Sequence, residues 1–290
     1  MNEFTAITKY IYQDKPEQLW HYTSYDSLHK IVQDDGKLSF RVTEISYLND
    51  HQEFIHGYSI IKNIYDLLRN KHDDDASKIA VLDNIAVFFR FTDELGSNLS
   101  VSDNAGVFVL SLTKERDLLS QWRAYTNNCH GVSIGINSNF KTSHVNNSLL
   151  FPVIYDDILK REYAEYIFHE IFEKFSKLSP NEITHNDEIL PEFAAKAKVA
   201  CSLMKDSTFS EESEWRYVIY GENKLNIKLK SSEFYLVPYV DLLIDEGNCD
   251  GIIIGPNPYN DLSRKSLTLF TSKVNLGKAI ISQSLIPYRG

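Results

Sequence analysis

The sequence predicts one α+β domain spanning residues 1–290, built on a mixed, mainly antiparallel sheet that surrounds a cleft. Two observations lead to this fold class. Segments with the alternation of strands and segments with helical periodicity are interleaved, but without the strict strand–helix–strand order of a doubly wound fold. In addition, no internal repeat and no linker rich in Gly, Ser or Pro divides the chain, and 290 residues can bury a substantial core as one unit.

The strands are predicted from short apolar or alternating segments. The first is residues 19–22, and Ser24 after it is suited to cap a helix that Gly36 ends. The other strands are predicted at 37–42, 106–112, 131–136, 149–156, 214–220, 233–240, 250–256 and 278–282. Strands therefore recur along the whole chain.

Residues 157–205 are predicted to form a helical insertion within this domain, covering the sheet or its cleft. Apolar residues recur there at helical spacing, and Ser179-Pro180 breaks the segment into two helices. The other helices are predicted at 25–35, 49–70 and 77–89, around Trp122, and after Asp261.

Composition restricts the class of protein. The formal net charge of −10 argues against broad electrostatic wrapping of nucleic acid. Three cysteines lie far apart and form no C-x-x-C pair, which argues against a disulfide framework or a cysteine zinc site. The N-terminal segment lacks an apolar core of signal length, and no apolar run approaches the roughly 20 residues that cross a bilayer. These features predict a cytoplasmic protein with no membrane partner.

The common nucleotide and hydrolase motifs are absent: neither G-x-G-x-x-G, nor G-x-x-x-x-G-K-[ST], nor G-x-S-x-G occurs. The segment NDHQEFIH concentrates residue types that bind metals, namely Asn49, Asp50, His51, Glu53 and His56. It is not an H-E-x-x-H motif, and two histidines five residues apart diverge on a helix. A helix that begins with a capping box from Asp50 to Glu53 is the better interpretation, and no metal is expected.

The stretch LWHYTSYDSL places His21, Tyr22 and Thr23 at the junction of a strand and a helix. Either these residues form a helix cap beside an incidental histidine, or they form the lip of a binding cleft. Spacing alone does not decide between the two.

Two further segments carry candidate site residues. In SQWRAY, Trp122 and Tyr125 lie three apart on a short helix beside Arg123. Such aromatic residues usually belong to the core, with stacking or phosphate binding as the alternative. In EWRYVIY, alternation places Glu214 and Arg216 on one strand face. They either pair at an exposed edge or lie at the mouth of a cleft.

Several segments occur together in a recognisable order: HYTSYDSLHKIV, GKLSF, LNDHQEF, FVLSLTKERDLLSQWRAYTNNCHGVSIGI, PVIYDD, MKDSTFSEESEWRYVIY and DGIIIGP. From about Leu19 to about Pro256 the chain resembles the bacterial domain-of-unknown-function family numbered 2971. That family name implies no activity.

The stretch His-Tyr-Thr at the end of a first strand is also similar to the start of ADP-ribosyltransferase-like toxins. This resemblance implies that His21 holds an NAD ribose and that Glu214 is the carboxylate that orients the nicotinamide ribose. A residue in the central part of such proteins, between these two positions in the chain, packs on nicotinamide. Tyr125 or Tyr47 would fill this middle role, and no motif decides which. NAD would be the substrate, and an arginine would bind its pyrophosphate. The implied NAD-binding residues are His21, Tyr22, Thr23, Arg41, Tyr47, Trp122, Arg123 and Arg216.

The resemblance implies ADP-ribosyl transfer or NAD cleavage, as in a bacterial toxin or a phage-defence effector. It also implies a macromolecular acceptor and a neutralising or regulatory protein partner. Two alternatives stay open. A metal-dependent nuclease would use Asp50 and Glu53 with His51 or His56, and a non-catalytic nucleotide sensor would bind without turnover.

Overall fold

A ten-stranded sheet organises the chain. The computed structural model describes residues 4–48, 51–95, 106–126, 129–142, 147–221 and 226–287, without the side chains of 51–53 and 94–95. Its strands are β1 (Gln18–Thr23), β2 (Leu38–Glu44), β3 (Val107–Thr113), β4 (Val132–Asn137), β5 (Ser148–Pro152), β6 (Glu214–Tyr220), β7 (Lys228–Ser231), β8 (Leu236–Ile244), β9 (Cys249–Ile254) and β10 (Ile280–Gln283). Its helices are α1 (Thr5–Ile11), α2 (Tyr25–Ile31), α3 (His51–Lys71), α4 (Ala76–Leu95), α5 (Leu119–Tyr125), α6 (Asp157–Phe175), α7 (Pro180–Thr184), α8 (Ile189–Leu203) and α9 (Asn260–Lys273).

The sheet is mainly antiparallel and it branches. Its long path runs β10-β9-β4-β1-β3-β2-β8-β7, while β6 pairs with β3 and β5 pairs with β6. In the described part of the chain, β9 and β10 are parallel and the other strand pairs are antiparallel. The predicted α+β class with a mainly antiparallel sheet is therefore confirmed.

Two apolar layers cover the two faces of the sheet. On one face, α1, α3, α4, α6, α7 and α8 pack over Val107, Val109 and Val218. On the other, α2 and α9 pack over residues such as Leu19, Trp215 and Ile252. Trp215 and Val218 thus lie on opposite faces of β6, as the predicted alternation requires.

Residues 157–205 contain three helices, where two were predicted. Ser179 begins α7 with a capping box, in which its hydroxyl accepts from the Glu182 backbone and the Glu182 carboxylate accepts from the Ser179 backbone. The break at Ser179-Pro180 is therefore confirmed. α6 and α8 pack with α3 and α4 against one face of the sheet. The description of this segment as an insertion into a single domain stays a prediction.

Several element boundaries differ from those predicted. The first helix after β1 begins at the predicted cap, because the Ser24 hydroxyl accepts from the Ser27 backbone N–H. It ends at Ile31, and Gly36 lies in the following turn with a φ of +83°. Helix α1 and strand β7 were not predicted. The predicted capping box of Asp50 and Glu53 lies outside the described residues and side chains. None of the described helices is both long and apolar enough to cross a bilayer.

Candidate functional site

The candidate site lies where β1 and β2, which both pair with the same edge of β3, separate from each other. β6 pairs with β3 along residues 107–113 and so occupies one edge over its full length. In the described sheet, β1 pairs with the opposite edge at Thr113, and β2 pairs with it at Phe108 and Val109. β1 and β2 therefore separate over residues 110–112, and a cleft opens between them.

The cleft between β1 and β2 has a volume of about 410 Å³, which is within the range of small-molecule sites. Helix α2 connects the two strands and contributes to its wall. Five hydroxyl groups and three cationic side chains make the lining largely polar. The lining residues are His21, Thr23, Ser27, Lys30, Ile31, Ser39, Phe40, Arg41, Thr43, Leu110, Lys230, Tyr239 and Asp241.

Two cations lie side by side in this cleft. The Arg41 guanidinium stacks on the Tyr239 ring, 5.1 Å from its centroid. Burial, and then the charge of Arg41, lower the pKa of Lys230. The nearby Asp241 carboxylate is bound to Lys228 at 2.6 Å. In the part of the chain that the structure describes, no ion pair joins Arg41 or Lys230 to a carboxylate. An anion bound here would relieve their mutual repulsion.

His21 lies where the cleft meets the open edge of β3. Its Nδ1 is 3.1 Å from the Ser111 carbonyl oxygen, and its ring meets Phe40 edge-on at 5.2 Å. Burial lowers the pKa of His21 below 6.5, although the hydrogen bond to Ser111 opposes the shift. The imidazole is therefore neutral at pH 7. Because a carbonyl only accepts, Nδ1 carries the proton and Nε2 is an acceptor.

His21 also lines a second, smaller cavity. Its volume is about 50 Å³, which is space for a few atoms. It brings the aromatic hydroxyl of Tyr125 and the carboxylates of Glu212 and Glu214 to the same opening. The lining residues are Trp20, His21, Tyr22, Ser111, Leu112, Thr113, Gln121, Tyr125, Glu212 and Glu214.

Glu214 belongs to a buried ion cluster. Arg216 binds its carboxylate with two hydrogen bonds, from Nε to Oε1 at 2.7 Å and from Nη2 to Oε2 at 3.0 Å. The remaining Nη1 of Arg216 donates to the Ser202 carbonyl at 2.6 Å. Lys205 donates to Glu214 at 3.2 Å and to Glu212 at 2.7 Å. Glu214, Arg216 and Lys205 are 5%, 2% and 4% exposed, so this cluster is almost fully shielded from water.

The cluster keeps the Glu214 carboxylate ionised. Burial by itself raises the pKa of Glu214, but the charges of Arg216 and Lys205 lower it more strongly, to about 2. The backbone N–H of Glu214 donates to the Tyr155 hydroxyl at 3.1 Å, which holds the start of β6 in place. An ionised carboxylate that is bound to two cations therefore lines the small cavity.

Other predicted site residues lie elsewhere. Trp122 is fully buried, donates to Asp117 at 2.8 Å and packs on Tyr22 at 4.6 Å, so its position is that of a core residue. Arg123 lines a shallow surface depression with Leu118, Leu119 and Glu211. Tyr47 meets the Tyr235 ring edge-on, with 5.7 Å between the ring centroids.

The predicted residues thus divide into two groups. His21, Thr23 and Arg41 line the large cleft, and His21, Tyr22, Tyr125 and Glu214 line the small cavity. Tyr47, Trp122, Arg123 and Arg216 are not among the described lining residues of either space, and Arg216 instead holds Glu214.

Several residues of the site were not predicted, and four of them show why. Lys230 and Tyr239 come from β7 and β8, more than 180 residues after His21, and no local pattern marks them. Lys205 ends an apolar helical stretch and looks like an ordinary helix terminus. Glu212 had a detectable signal, because it precedes Glu214 by two residues in SEESEW.

No group of three or more metal-ligating side chains occurs among the described residues. His56 Nε2 lies 3.2 Å from the Lys160 ammonium, which is also 2.8 Å from Asp157. Of the residues that the alternative metal-dependent nuclease would use, Asp50 and the side chains of His51 and Glu53 lie outside the described residues. Asn49 of the same segment lies outside them as well.

Part of the chain matches a known family. Residues 121–217 match the model of a family described as protein of unknown function, DUF2971. The predicted resemblance to that family is confirmed over this segment, which includes Tyr125 and Glu214 but not His21. No curated protein and no solved structure matches the chain. These comparisons give no support to the resemblance to ADP-ribosyltransferase-like toxins.

Proposed function

We propose that the chain binds NAD in the cleft between β1 and β2 and breaks the bond between nicotinamide and ribose. One observation carries the proposal: His21 lines both the polar, basic cleft and the small cavity that holds the Glu214 carboxylate. A dinucleotide needs a cation-rich surface for its pyrophosphate, and its reacting end needs a carboxylate. One neutral histidine lines both the space that offers the cations and the space that offers the carboxylate.

The cleft has the chemistry that a dinucleotide requires. Arg41 and Lys230 supply two neighbouring cations for the pyrophosphate, and arginine binds phosphate oxygens with two parallel hydrogen bonds. Thr23, Ser27 and Ser39 supply hydroxyl groups for ribose or phosphate oxygens. The unprotonated Nε2 of His21 is suited to accept a hydrogen bond from a ribose hydroxyl.

Glu214 would act on the reacting end. When the bond between C1′ and the nicotinamide nitrogen breaks, its electron pair leaves with nicotinamide and positive charge develops on the ribose. An ionised carboxylate stabilises such an oxocarbenium-like state. Water or an acceptor group then forms a bond to C1′ and loses a proton. Arg216 and Lys205 keep Glu214 ionised and fix its direction, although their charges also offset part of its field.

Tyr125 is the better candidate for the middle role. It lines the small cavity with His21 and Glu214, whereas Tyr47 lies against Tyr235 outside both spaces. An aromatic ring at the cavity opening is placed to pack on a flat heterocycle such as nicotinamide.

The proposal extends to the setting in which the protein acts. We place it in the cytoplasm, because its three cysteines are free and a reducing compartment keeps them so. We further propose that it is a toxin or phage-defence effector that modifies a protein or nucleic acid and is restrained by a protein partner. The proposal rests on the NAD chemistry, and a metal-dependent nuclease or a nucleotide sensor remains the alternative if that chemistry is absent.

Replacing Arg41 tests NAD binding. We expect Arg41→Ala to weaken the affinity for carba-NAD, a hydrolysis-resistant analogue, by about 10- to 100-fold, because a charge-assisted hydrogen bond contributes about 1.5–3 kcal/mol. Arg264→Ala removes an exposed arginine on α9 and is the matched control, with unchanged affinity expected. Isothermal titration at two salt concentrations measures both affinities. Equal affinities for the Arg41→Ala variant and the wild type, or no binding by the wild type at millimolar analogue, would contradict the proposed site.

A further inference from the structure

A third cavity lies on the opposite side of the sheet layer from the cleft. Its volume is about 330 Å³, and α1, α6 and α8 enclose it together with the ends of β5 and β6. None of its lining residues lines the cleft or the Glu214 cavity. It is therefore a separate space, and the proposed NAD chemistry makes no use of it.

The wall of this third cavity is mainly aliphatic and aromatic. Tyr12 meets Phe151 edge-on at 5.7 Å, and this pair stands at the mouth, where Tyr12 is 67% exposed. Four tyrosine rings and one phenylalanine ring face a space that is large enough for a bicyclic molecule. The lining residues are Ile7, Thr8, Ile11, Tyr12, Leu149, Phe151, Tyr163, Tyr166, Ile167, Glu170, Glu192, Ala195, Lys196, Val199 and Tyr220.

The charged groups of the wall neutralise one another. The Glu170 carboxylate accepts from the Tyr166 hydroxyl at 2.7 Å and from Lys196 at 2.8 Å. Glu192 is bound to Lys174. Each carboxylate in the wall therefore has a cation as its partner, and the cavity offers no uncompensated charge to an ionic ligand.

The hydroxyls of Tyr12, Tyr163 and Tyr220 make no hydrogen bond to the described residues, and Tyr163 is the most buried of the three. Tyr163 is only 8% exposed. Tyr163 lines the cavity together with Tyr12, Glu170 and Tyr166. Because the Tyr163 hydroxyl has no partner among the described residues, it can exchange a hydrogen bond with water for one with a ligand in the cavity.

We propose that this third cavity binds a small, uncharged aromatic molecule with one hydroxyl or carbonyl oxygen, and that this oxygen pairs with the Tyr163 hydroxyl. The apolar wall takes the body of the ligand. Glu170 is paired with Lys196, and Glu192 is paired with Lys174. A charged ligand is therefore disfavoured, because the ligand's charge would lose its water without gaining a counter-ion.

The probes 2-naphthol and naphthalene test both parts of this assignment, because they differ only in the hydroxyl group. We expect the wild type to bind 2-naphthol several-fold more tightly than naphthalene, measured by fluorescence titration. Tyr163→Phe should weaken 2-naphthol binding by about 3- to 10-fold, the loss of one hydrogen bond, and leave naphthalene binding unchanged. Tyr259→Phe, which alters an exposed tyrosine outside the cavity, is the matched control and should change neither.

A second variant tests the location. Ala195→Trp places an indole on the α8 wall, and we expect it to abolish binding of both probes while thermal melting and far-ultraviolet circular dichroism show an intact fold. The assignment is overturned if the wild type binds neither probe, if Tyr163→Phe binds 2-naphthol as tightly as the wild type, or if a folded Ala195→Trp variant retains binding. These outcomes do not depend on NAD, because every residue tested lies outside the NAD site.

Discussion

Glu214→Gln is expected to lower the rate of nicotinamide release from NAD by about 100- to 1000-fold, the range found when one preorganised electrostatic group is removed from an active site. Glutamine has the same shape as glutamate but carries no charge, so it cannot stabilise positive charge on the ribose. Release is measured by chromatography at saturating NAD. Glu212→Gln is the matched control, because it removes a neighbouring carboxylate that shares Lys205, and we expect it to lose less than tenfold.

Loss of stability must be separated from loss of catalysis in this experiment. Glu214→Gln also deprives Arg216 of its partner in a buried place, which by itself destabilises the fold. The double variant Glu214→Gln/Arg216→Met removes both charges, and we expect it to be more stable than the single variant yet equally inactive. A double variant that regains both stability and wild-type turnover would show that Glu214 has only a structural role.

Arg216→Met is expected to lower the free energy of unfolding at pH 7 by about 3–5 kcal/mol, the cost of leaving one member of a buried ion pair alone. Methionine fills much of the arginine volume, so the loss comes mainly from the stranded Glu214 carboxylate and the unbonded Ser202 carbonyl. Denaturant unfolding followed by circular dichroism measures it. Arg264→Met on exposed α9 is the control and should lie within about 0.5 kcal/mol of the wild type.

The pH dependence of the Arg216→Met effect follows from the pKa of Glu214. That pKa is about 2 in the folded protein and 4.5 in the unfolded chain, so ionised Glu214 stabilises the fold above pH 4.5. This contribution, about 3 kcal/mol, is lost as the pH falls from 4.5 through 2. In Arg216→Met the carboxylate lacks its main partner and has less of this stability to lose. The two proteins should therefore converge in stability between pH 4.5 and 2, and a constant difference across that range would contradict the assigned role of the cluster.

Local chemistry made part of the fold predictable. The alternation in EWRYVIY placed Trp215 and Val218 on opposite faces of β6, and the structure has them there. The cap at Ser24 and the break at Ser179-Pro180 were readable because they depend on neighbouring residues only. Strand β7 was not predicted, because its exposed residues in KLKS lack the apolar alternation that marks a half-buried strand.

The candidate site was only partly predictable, for a different physical reason. His21 and Glu214 were selected from short motifs, and the structure places both on one cavity. The function of Arg216 depends on Glu214, Lys205 and Ser202 meeting in three dimensions, and spacing along the chain did not distinguish a ligand-binding arginine from one that holds a carboxylate. Arg41 and Lys230 come together because β8 pairs with β2 on one edge and with β7 on the other, a feature of strand pairing that the sequence does not display.

Nicotinamide release by the purified wild type is the most direct test of the proposed function. We incubate the protein with NAD, with and without a cell extract as a source of acceptors, in the presence of EDTA. We expect free nicotinamide to accumulate in amounts exceeding the protein, and we expect EDTA to leave the rate unchanged, because the proposed chemistry needs only His21, Glu214 and the cleft. Intact NAD after prolonged incubation with the extract, or release that stops in EDTA, would contradict the proposed chemistry.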